Sequence, residues 1–370
     1  MDRRISADRG KRRSWGILRM TGSILVYGAT GYTGKLIALA SKAKGSNFIL
    51  AGRDEERVKA VASPLGLPWR VFNLSDRRAL DAGIRDVAAV LCAAGPFSAT
   101  SRPMADACIR NGVHYLDITG EIDVFEALAR RDAEAKQVGV MLLPGVGFDV
   151  VPSDCLAAHL KRRLPDATDL KIYIGGLSSV SRGTAKTMVE GIAGAARLRR
   201  NGRVAALDRP NSGSCDFGEG TKPTIQVSWG DVSTAYYSTG IPNIEVHFEA
   251  VPMLSTLGRM PGPVKSLLAV GFAQRLLKSL IDRQPEGPSD NVRRKVKGVL
   301  IGVARNGKGD IVRTRVRTPD GYALTAMTSV DAAARVASGE HKAGFQTPSL
   351  AFGTDYVLGF NGVTREDMND

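Results

Sequence analysis

The sequence predicts an α/β protein: a doubly wound parallel sheet followed by a second, α+β domain. Three observations predict it. β-Branched and aromatic runs alternate with helically spaced segments from residue 23 to residue 149. Several of those runs, VAAVLCAAG (87–95) above all, are apolar throughout, as strands covered on both faces of a parallel sheet are. A glycine-spaced segment, GATGYTG (28–34), stands at the first strand-to-helix turn. A length of 370 residues suits two domains.

SILVY (23–27) is the first strand. In GKLIALASKA (34–43), Leu36, Leu39, Ala40 and Ala43 share a helical face. FILAGR (48–53) is the second strand. DEERVKAVAS (54–63) is a helix with acidic residues in its first turn, where they complement the dipole. WRVFNL (69–74) is the third strand, and SDRRALDAGI (75–84) a helix with Ser75 as its cap. After the fourth strand (87–95) come a helix ending at Gly112, the strand VHYLDI (113–118), a helix over 121–139 and a sixth strand opening VMLLPGVGFD (140–149). Such alternation is the doubly wound pattern.

Beyond it, CLAAHLKRRL (155–164) is a helix and KIYIGG (171–176) a strand, and residues 178–200 read as a glycine-broken helix. TIQVSWG (224–230), NIEVHFEAV (243–251), VKGVLIGVAR (296–305) and DIVRTRVRT (310–318) read as strands, with RNGKGD (305–310) as a hairpin turn. Residues 207–223 and 282–295 are predicted loops, and 325–338 a helix ending at Gly339. The expected division is a basic disordered leader (1–20), a nucleotide-binding domain (21–150), a substrate and dimerisation domain (151–340) and a C-terminal segment (341–370) packing back on the first domain.

The strand–helix context gives the glycine loop its meaning. A helix N-terminus there presents free N–H groups and the positive end of the dipole. Gly28 allows the tight turn, Gly31 close approach of backbone to a pyrophosphate, and Gly34 close helix–strand packing. Thr30, Tyr32 and Thr33 complete the loop. This is a Rossmann-type nucleotide site. Arg53, at the end of the second strand, offers a guanidinium fork to the 2′-phosphate of NADP. Asp54 beside it offers the acceptor that NAD sites use on ribose hydroxyls, so the choice lies between these two side chains, with NADP favoured. Ala93, Ala94 and Gly95, at the fourth strand's exit, should pass beneath the nicotinamide ribose.

GATGYTG, AGR (51–53), AAGPF (93–97), MADACIRNGVHYLDITGE (104–121) and PGVGFDVVPSD (144–154) together resemble the saccharopine dehydrogenase-like oxidoreductases. GYALT (321–325) and GFQTPSLAFG (344–353) are similar to the bacterial branch that includes trans-acting enoyl reductases. The resemblance runs from about residue 22 to 365. It implies NADP(H) chemistry and a mixed second domain used for substrate and dimerisation. It leaves the substrate open between an amino-acid adduct and a carrier-bound double bond.

Asp117 and Glu121 at the fifth strand's end, and Asp149 and Asp154 past the sixth, lie where this architecture puts its ligands. Each is a candidate to position substrate or relay a proton. Each is also a residue type that helix starts want, Glu121 opening one helix and Asp154 capping another. Ser181, Gly183, Thr184 and Lys186 resemble the family's S-x-G-T element, a helix start able to hold a carboxylate or phosphate or serving only as a cap. A basic amphipathic helix over 264–283 reads as core or dimer interface, with peripheral membrane contact as the other reading.

Charge and cysteines bound the rest. Net charge is +14, and residues 1–19 hold seven Lys/Arg against two Asp. No apolar stretch follows them, so they are not read as a secretory signal, and no nucleic-acid-binding motif accompanies them. Four scattered cysteines and four scattered histidines form no metal-ligand spacing. A cytoplasmic homodimer acting on a small-molecule or carrier-bound substrate is expected, with no metal and no nucleic acid. A non-catalytic NADP sensor is the alternative on the same fold.

Overall fold

The computed structural model describes residues 22–45, 47–176, 181–191, 196–250 and 271–368. The first half alternates: β1 (Ile24–Tyr27), α1 (Tyr32–Lys44), β2 (Phe48–Gly52), α2 (Glu55–Leu65), β3 (Trp69–Val71), α3 (Arg77–Ile84), β4 (Ala89–Cys92), α4 (Phe97–Asn111), β5 (His114–Asp117), α5 (Ile122–Ala129), α6 (Asp132–Gln137) and β6 (Met141–Leu143). The second half runs α7 (Val151–Arg163), β7 (Ala167–Gly175), α8 (Arg182–Gly191), β8 (Ala196–Arg200), β9 (Arg203–Leu207), β10 (Ser212–Asp216), β11 (Thr221–Gln226), α9 (Asp231–Thr239) and β12 (Asn243–Glu249). After the gap come α10 (Gly271–Asp282), α11 (Asp290–Lys295), β13 (Gly298–Asn306), β14 (Ile311–Thr318), α12 (Gly321–Ala337), β15 (Gly344–Phe345), α13 (Pro348–Phe352) and β16 (Thr364–Met368).

One sheet is parallel throughout, in the order β15-β6-β5-β4-β1-β2-β3. Its central strands are apolar at every position because both faces are covered. Leu25, Val90 and Cys92 face α3 and α4, meeting Leu80, Ile84 and Met104. Val26, Leu91 and Leu116 face the other way, toward Ile37 and Ala38 of α1 and Val330 and Ala333 of α12. The alanine run of α12 lets it lie close to α1, and Lys44 Nζ meets Asp331 Oδ1 at 3.0 Å between them. The sequence-derived fold class is therefore what the chain adopts.

The second sheet is mixed, in the order β10-β11-β12-β7-β13-β14-β16, with β8 and β9 branching from β12. β12 runs parallel to β7, and the other neighbouring pairs are antiparallel. Ile172, Ile174, Val246 and Leu300 turn inward onto Leu156 and Leu160 of α7 and Val232 of α9. The C-terminal segment touches both sheets: β15 extends the parallel one beside β6, and β16 pairs with β14.

Several elements differ from the sequence reading. The stretch read as one helix over 121–139 is two, α5 and α6. Asp76, not Ser75, caps α3, accepting from the N–H groups of Arg78 and Ala79. The second part of the expected 178–200 helix is strand β8, which pairs with β9. Residues 212–216 and 221–223 are strand where a loop was expected, since the pairing of β11 with β12 and of β10 with β11 overrides their Gly, Ser and Pro content, while 224–226 is strand as expected. SWGD (228–231) turns into α9 instead of ending a strand. The amphipathic segment 264–283 lies outside the described residues up to 270, and its remainder is α10, where Leu276 and Leu280 are exposed. No helix among the described residues is long and apolar enough to cross a membrane.

Candidate functional site

The carboxyl ends of β1, β2, β4, β5 and β6 converge on one edge of the parallel sheet. Gly28 follows β1 with φ +91°, and a Cβ there would lie 2.7 Å from Ala94 N. Gly34, one turn into α1, approaches the loop so closely that a Cβ would sit 2.1 Å from Gly28 O. Gly31 is different. It is exposed, has φ −78°, and a Cβ added to it would meet nothing nearer than Gly28 O at 3.6 Å. The space above Gly31 is open, and α1 begins there with no side-chain cap on its first amides. That is the geometry of an anion site at a helix start.

Thr30 and Thr33 are half-buried in this loop, and Ala93 and Ala94 stand beside it, with Gly95 exposed at the β4 exit. Tyr32 leaves the loop sideways: its hydroxyl donates to Pro288 O at 2.5 Å, and its ring meets Tyr322 edge-on at 5.1 Å. Arg53 is exposed at the β2 exit. Asp54 is committed elsewhere, because its Oδ1 accepts from Arg57 N at 3.1 Å and caps α2. The guanidinium is therefore the side chain left to meet a group on the adenine ribose.

Comparison with known families bears on the same residues. Residues 24–143 match the family model of the saccharopine dehydrogenase NADP-binding domain. This third of the chain is similar to a saccharopine dehydrogenase NADP-binding domain. Curated relatives match it too. A trans-acting enoyl reductase from Mycobacterium leprae is 35% identical over 149 residues, covering 38% of this chain and 36% of the relative. A lipid droplet localized protein from Caenorhabditis elegans is 26% identical over 193 residues, covering 47% of this chain and 45% of it. The matched stretch thus spans less than half the length of either relative. Over nearly the whole chain, the fold is like that of apo saccharopine dehydrogenase (L-Glu forming) from Saccharomyces cerevisiae, with TM-score 0.61, 9% identity and coverage of 94% and 100%.

The residues present fit NADP: open backbone at Gly31, uncapped α1 amides, and an Arg53 fork with Asp54 turned away. The four carboxylates at the same edge divide sharply. Asp117 is fully buried and pins two strand exits together, accepting from Tyr115 Oη at 2.6 Å and from Thr119 N and Gly145 N at 2.9 Å. Burial pushes its pKa up to about 6. Glu121 reaches across to α4, where its two oxygens accept from Phe97 N and Ser98 N, each at 2.8 Å. Its side chain therefore caps α4 and makes no cap hydrogen bond to α5, the helix it opens. Asp154 lies inside the first turn of α7, is fully buried, and accepts from Ser349 N at 2.7 Å.

Asp149 differs from all three. It is half-buried, and among the described residues its carboxyl has no hydrogen-bond partner. Its Oδ2 packs against Gly120, where a Cβ would come within 2.9 Å, and Trp229 Nε1 donates to its main-chain carbonyl at 2.9 Å. Burial raises its pKa from 3.8 to about 7. Burial also raises the pKa of Tyr322, and the charge of nearby Asp149 adds to that.

Tyr322 joins this edge to the second domain. Its hydroxyl accepts from Ser181 N at 2.5 Å and lies 3.4 Å from Thr184 Oγ1. Ser181 Oγ in turn accepts from Thr184 N at 3.2 Å, as a helix cap does. Gly183 is exposed on the same turn, while Lys186 is paired with Asp282 of α10 at 2.5 Å. Segment 286–288 closes the group: Glu286 pairs with Lys35 at 2.7 Å, and its carbonyl accepts from Arg182 N. Tyr322, Trp229 and Glu286 did not stand out in the sequence, because each reaches the site from a distant segment.

Proposed function

We propose that the protein is an NADPH-dependent reductase in which Asp149 supplies the proton. Bound NADPH supplies a hydride, and the substrate bond is a polarised C=C, C=N or C=O. The enoyl reductase relatives make an enoyl thioester of lipid or polyketide type the first substrate to test.

The carrying observation is the state of Asp149. A group that must give up a proton near neutral pH needs a pKa near 7 and no structural bond to break. Asp149 meets both conditions; Asp117, Glu121 and Asp154 are each engaged in holding backbone. Gly120 lets the carboxyl lie against the β5 exit, and Trp229 holds its main chain in place. The protonated carboxyl delivers its proton to the atom that does not receive the hydride, and is reprotonated from solvent through its exposed side. Gly28, Gly31 and Gly34 shape the backbone that holds the pyrophosphate, Thr30, Tyr32 and Thr33 present its amides, and Arg53 meets the 2′-phosphate. Ala93, Ala94 and Gly95 leave room beneath the nicotinamide ribose. Ser181, Gly183, Thr184 and Tyr322 form the facing wall for the substrate, with Lys186 fixing α8 to α10.

NADPH oxidation followed by absorbance across enoyl thioesters, long-chain polyketide esters and amino-acid imines tests this reading. Turnover of one class identifies the bond reduced. Tight NADPH binding with no turnover of any class would favour a sensor instead.

A further inference from the structure

A cleft outside this chemistry lies beside the helix start that carries Tyr322. It measures about 640 Å3 and lies between α11, the turn from β14 into α12, and the chain at 362–364. Arg293, Arg294, Lys297 and Arg317 line it, against two carboxylates, Asp290 and Asp320. Both carboxylates are engaged. Asp290 Oδ1 pairs with Arg293 at 2.5 Å, and Asp320 Oδ1 caps α12 by accepting from Tyr322 N and Ala323 N at 3.1 and 3.0 Å.

Much of the positive charge is unspent. Arg294 and Lys297 are exposed and have no carboxylate partner among the described residues. Among the described residues, the carboxylate partner of Arg317 is Glu366, at 3.5 Å and shared with Arg315. Arg293 is mostly buried, with a side-chain exposure of 16%, and its Nε has no hydrogen-bond partner. A buried guanidinium donor left without an acceptor is costly unless something else supplies one. Val296, Pro319 and Ala323 give the wall an apolar part, beside Thr318, Gly362 and Thr364.

These features narrow the ligand. A guanidinium fork beside further cations matches the oxygens of a phosphate. The volume falls within the range of small-molecule sites, roughly 300–1,000 Å3, and far exceeds what a lone phosphate fills. The apolar wall calls for an organic part. We propose that this cleft binds an organic phosphate, a phosphomonoester or diphosphate carrying an apolar or ring-bearing portion, as a second ligand beside NADP. Its position gives it a purpose. Asp320 and Ala323 of the cleft flank Tyr322 in the chain, and Tyr322 touches Ser181 and the surroundings of Asp149. A molecule anchored here by its phosphates would sit against the helix start that carries Tyr322.

The same chemistry comes from two sources, a nucleoside diphosphate or the diphosphate arm of a thioester carrier. Calorimetric titration of the full chain saturated with NADPH, using coenzyme A, ADP and inorganic phosphate in turn, separates them. Coenzyme A or ADP should bind at one site without displacing NADPH, and the tighter of the two names the source. The double substitution Arg294→Glu, Lys297→Glu, at exposed positions, should weaken that binding by about tenfold or more while leaving NADPH affinity and the melting temperature unchanged. The proposal is overturned if neither organic phosphate saturates, if inorganic phosphate binds as tightly as both, if NADPH displaces them, or if the double variant binds unchanged. NADPH affinity is read in the same titrations, so loss of this site is distinguishable from failure of the reductase reading.

Discussion

Gly31 and Gly34 carry opposite demands, and single substitutions separate them. Gly31→Val meets no protein atom closer than ordinary contact, so the fold should survive while the new side chain fills the space the pyrophosphate needs. NADPH titration by fluorescence should show binding lost with the melting temperature kept; unchanged affinity would refute the loop assignment. Gly34→Ala puts a methyl 2.1 Å from Gly28 O, and should cost toward the upper end of the roughly 1–3 kcal/mol of overpacking. Arg53→Ala removes the fork proposed to meet the 2′-phosphate. Charge-assisted bonds contribute about 1.5–3 kcal/mol, but Arg53 is exposed and screened, so a loss of about tenfold for NADPH is expected, with NADH nearly unaffected. Equal weakening of both cofactors would make Arg53 a bystander. The tight turn at Gly28 and the close packing at Gly34 were legible because they are local, set by neighbours within one turn. The fate of Asp54 was not, because only the structure shows its carboxylate folded onto Arg57 N.

At the scale of elements, Glu121 shows why a candidate acid is hard to read from sequence. Its position at a strand's end invites catalysis, and its partners, Phe97 N and Ser98 N, lie 24 and 23 residues earlier. Glu121→Ala should leave two first-turn amides of α4 unmet and lower stability by about 1–2 kcal/mol, the usual worth of a cap. Denaturant unfolding measures it; an unchanged midpoint would mean that water replaces the carboxylate without loss. The parallel strands were legible for a related reason: each is continuously apolar, and its neighbour follows after one helix. The β8–β11 region was not. SGSCD and the opening TKP of β11 carry turn residues, and they are strand because β11 pairs with β12 and β10 with β11.

The whole molecule brings Ser181, Glu286 and Tyr322 to the glycine loop, with Tyr322 lying 141 residues from Ser181 and Pro288 lying 256 from Tyr32. No local pattern encodes such closure. If segment 286–288 closes over the cofactor, NADPH should slow amide exchange there as well as in 28–34, and protection confined to the loop would uncouple the two. Everything then converges on Asp149. Its folded pKa is about 7 against 3.8 unfolded, so the folded chain keeps a proton that the unfolded chain has lost between those values. Stability from this group therefore falls as pH rises from about 4 to about 7 and levels off above, and Asp149→Asn should lack that fall. The proposed reduction needs the protonated form. The most direct measurement is the pH profile of kcat/KM for NADPH oxidation, with whichever substrate class is turned over, in the parent and in Asp149→Asn. The parent's rate should fall as pH rises through about 7, while the variant should bind NADPH normally and be slower by about 100-fold or more, with no inflection there. A variant as active as the parent, or one that keeps the inflection, would contradict Asp149 as the proton source.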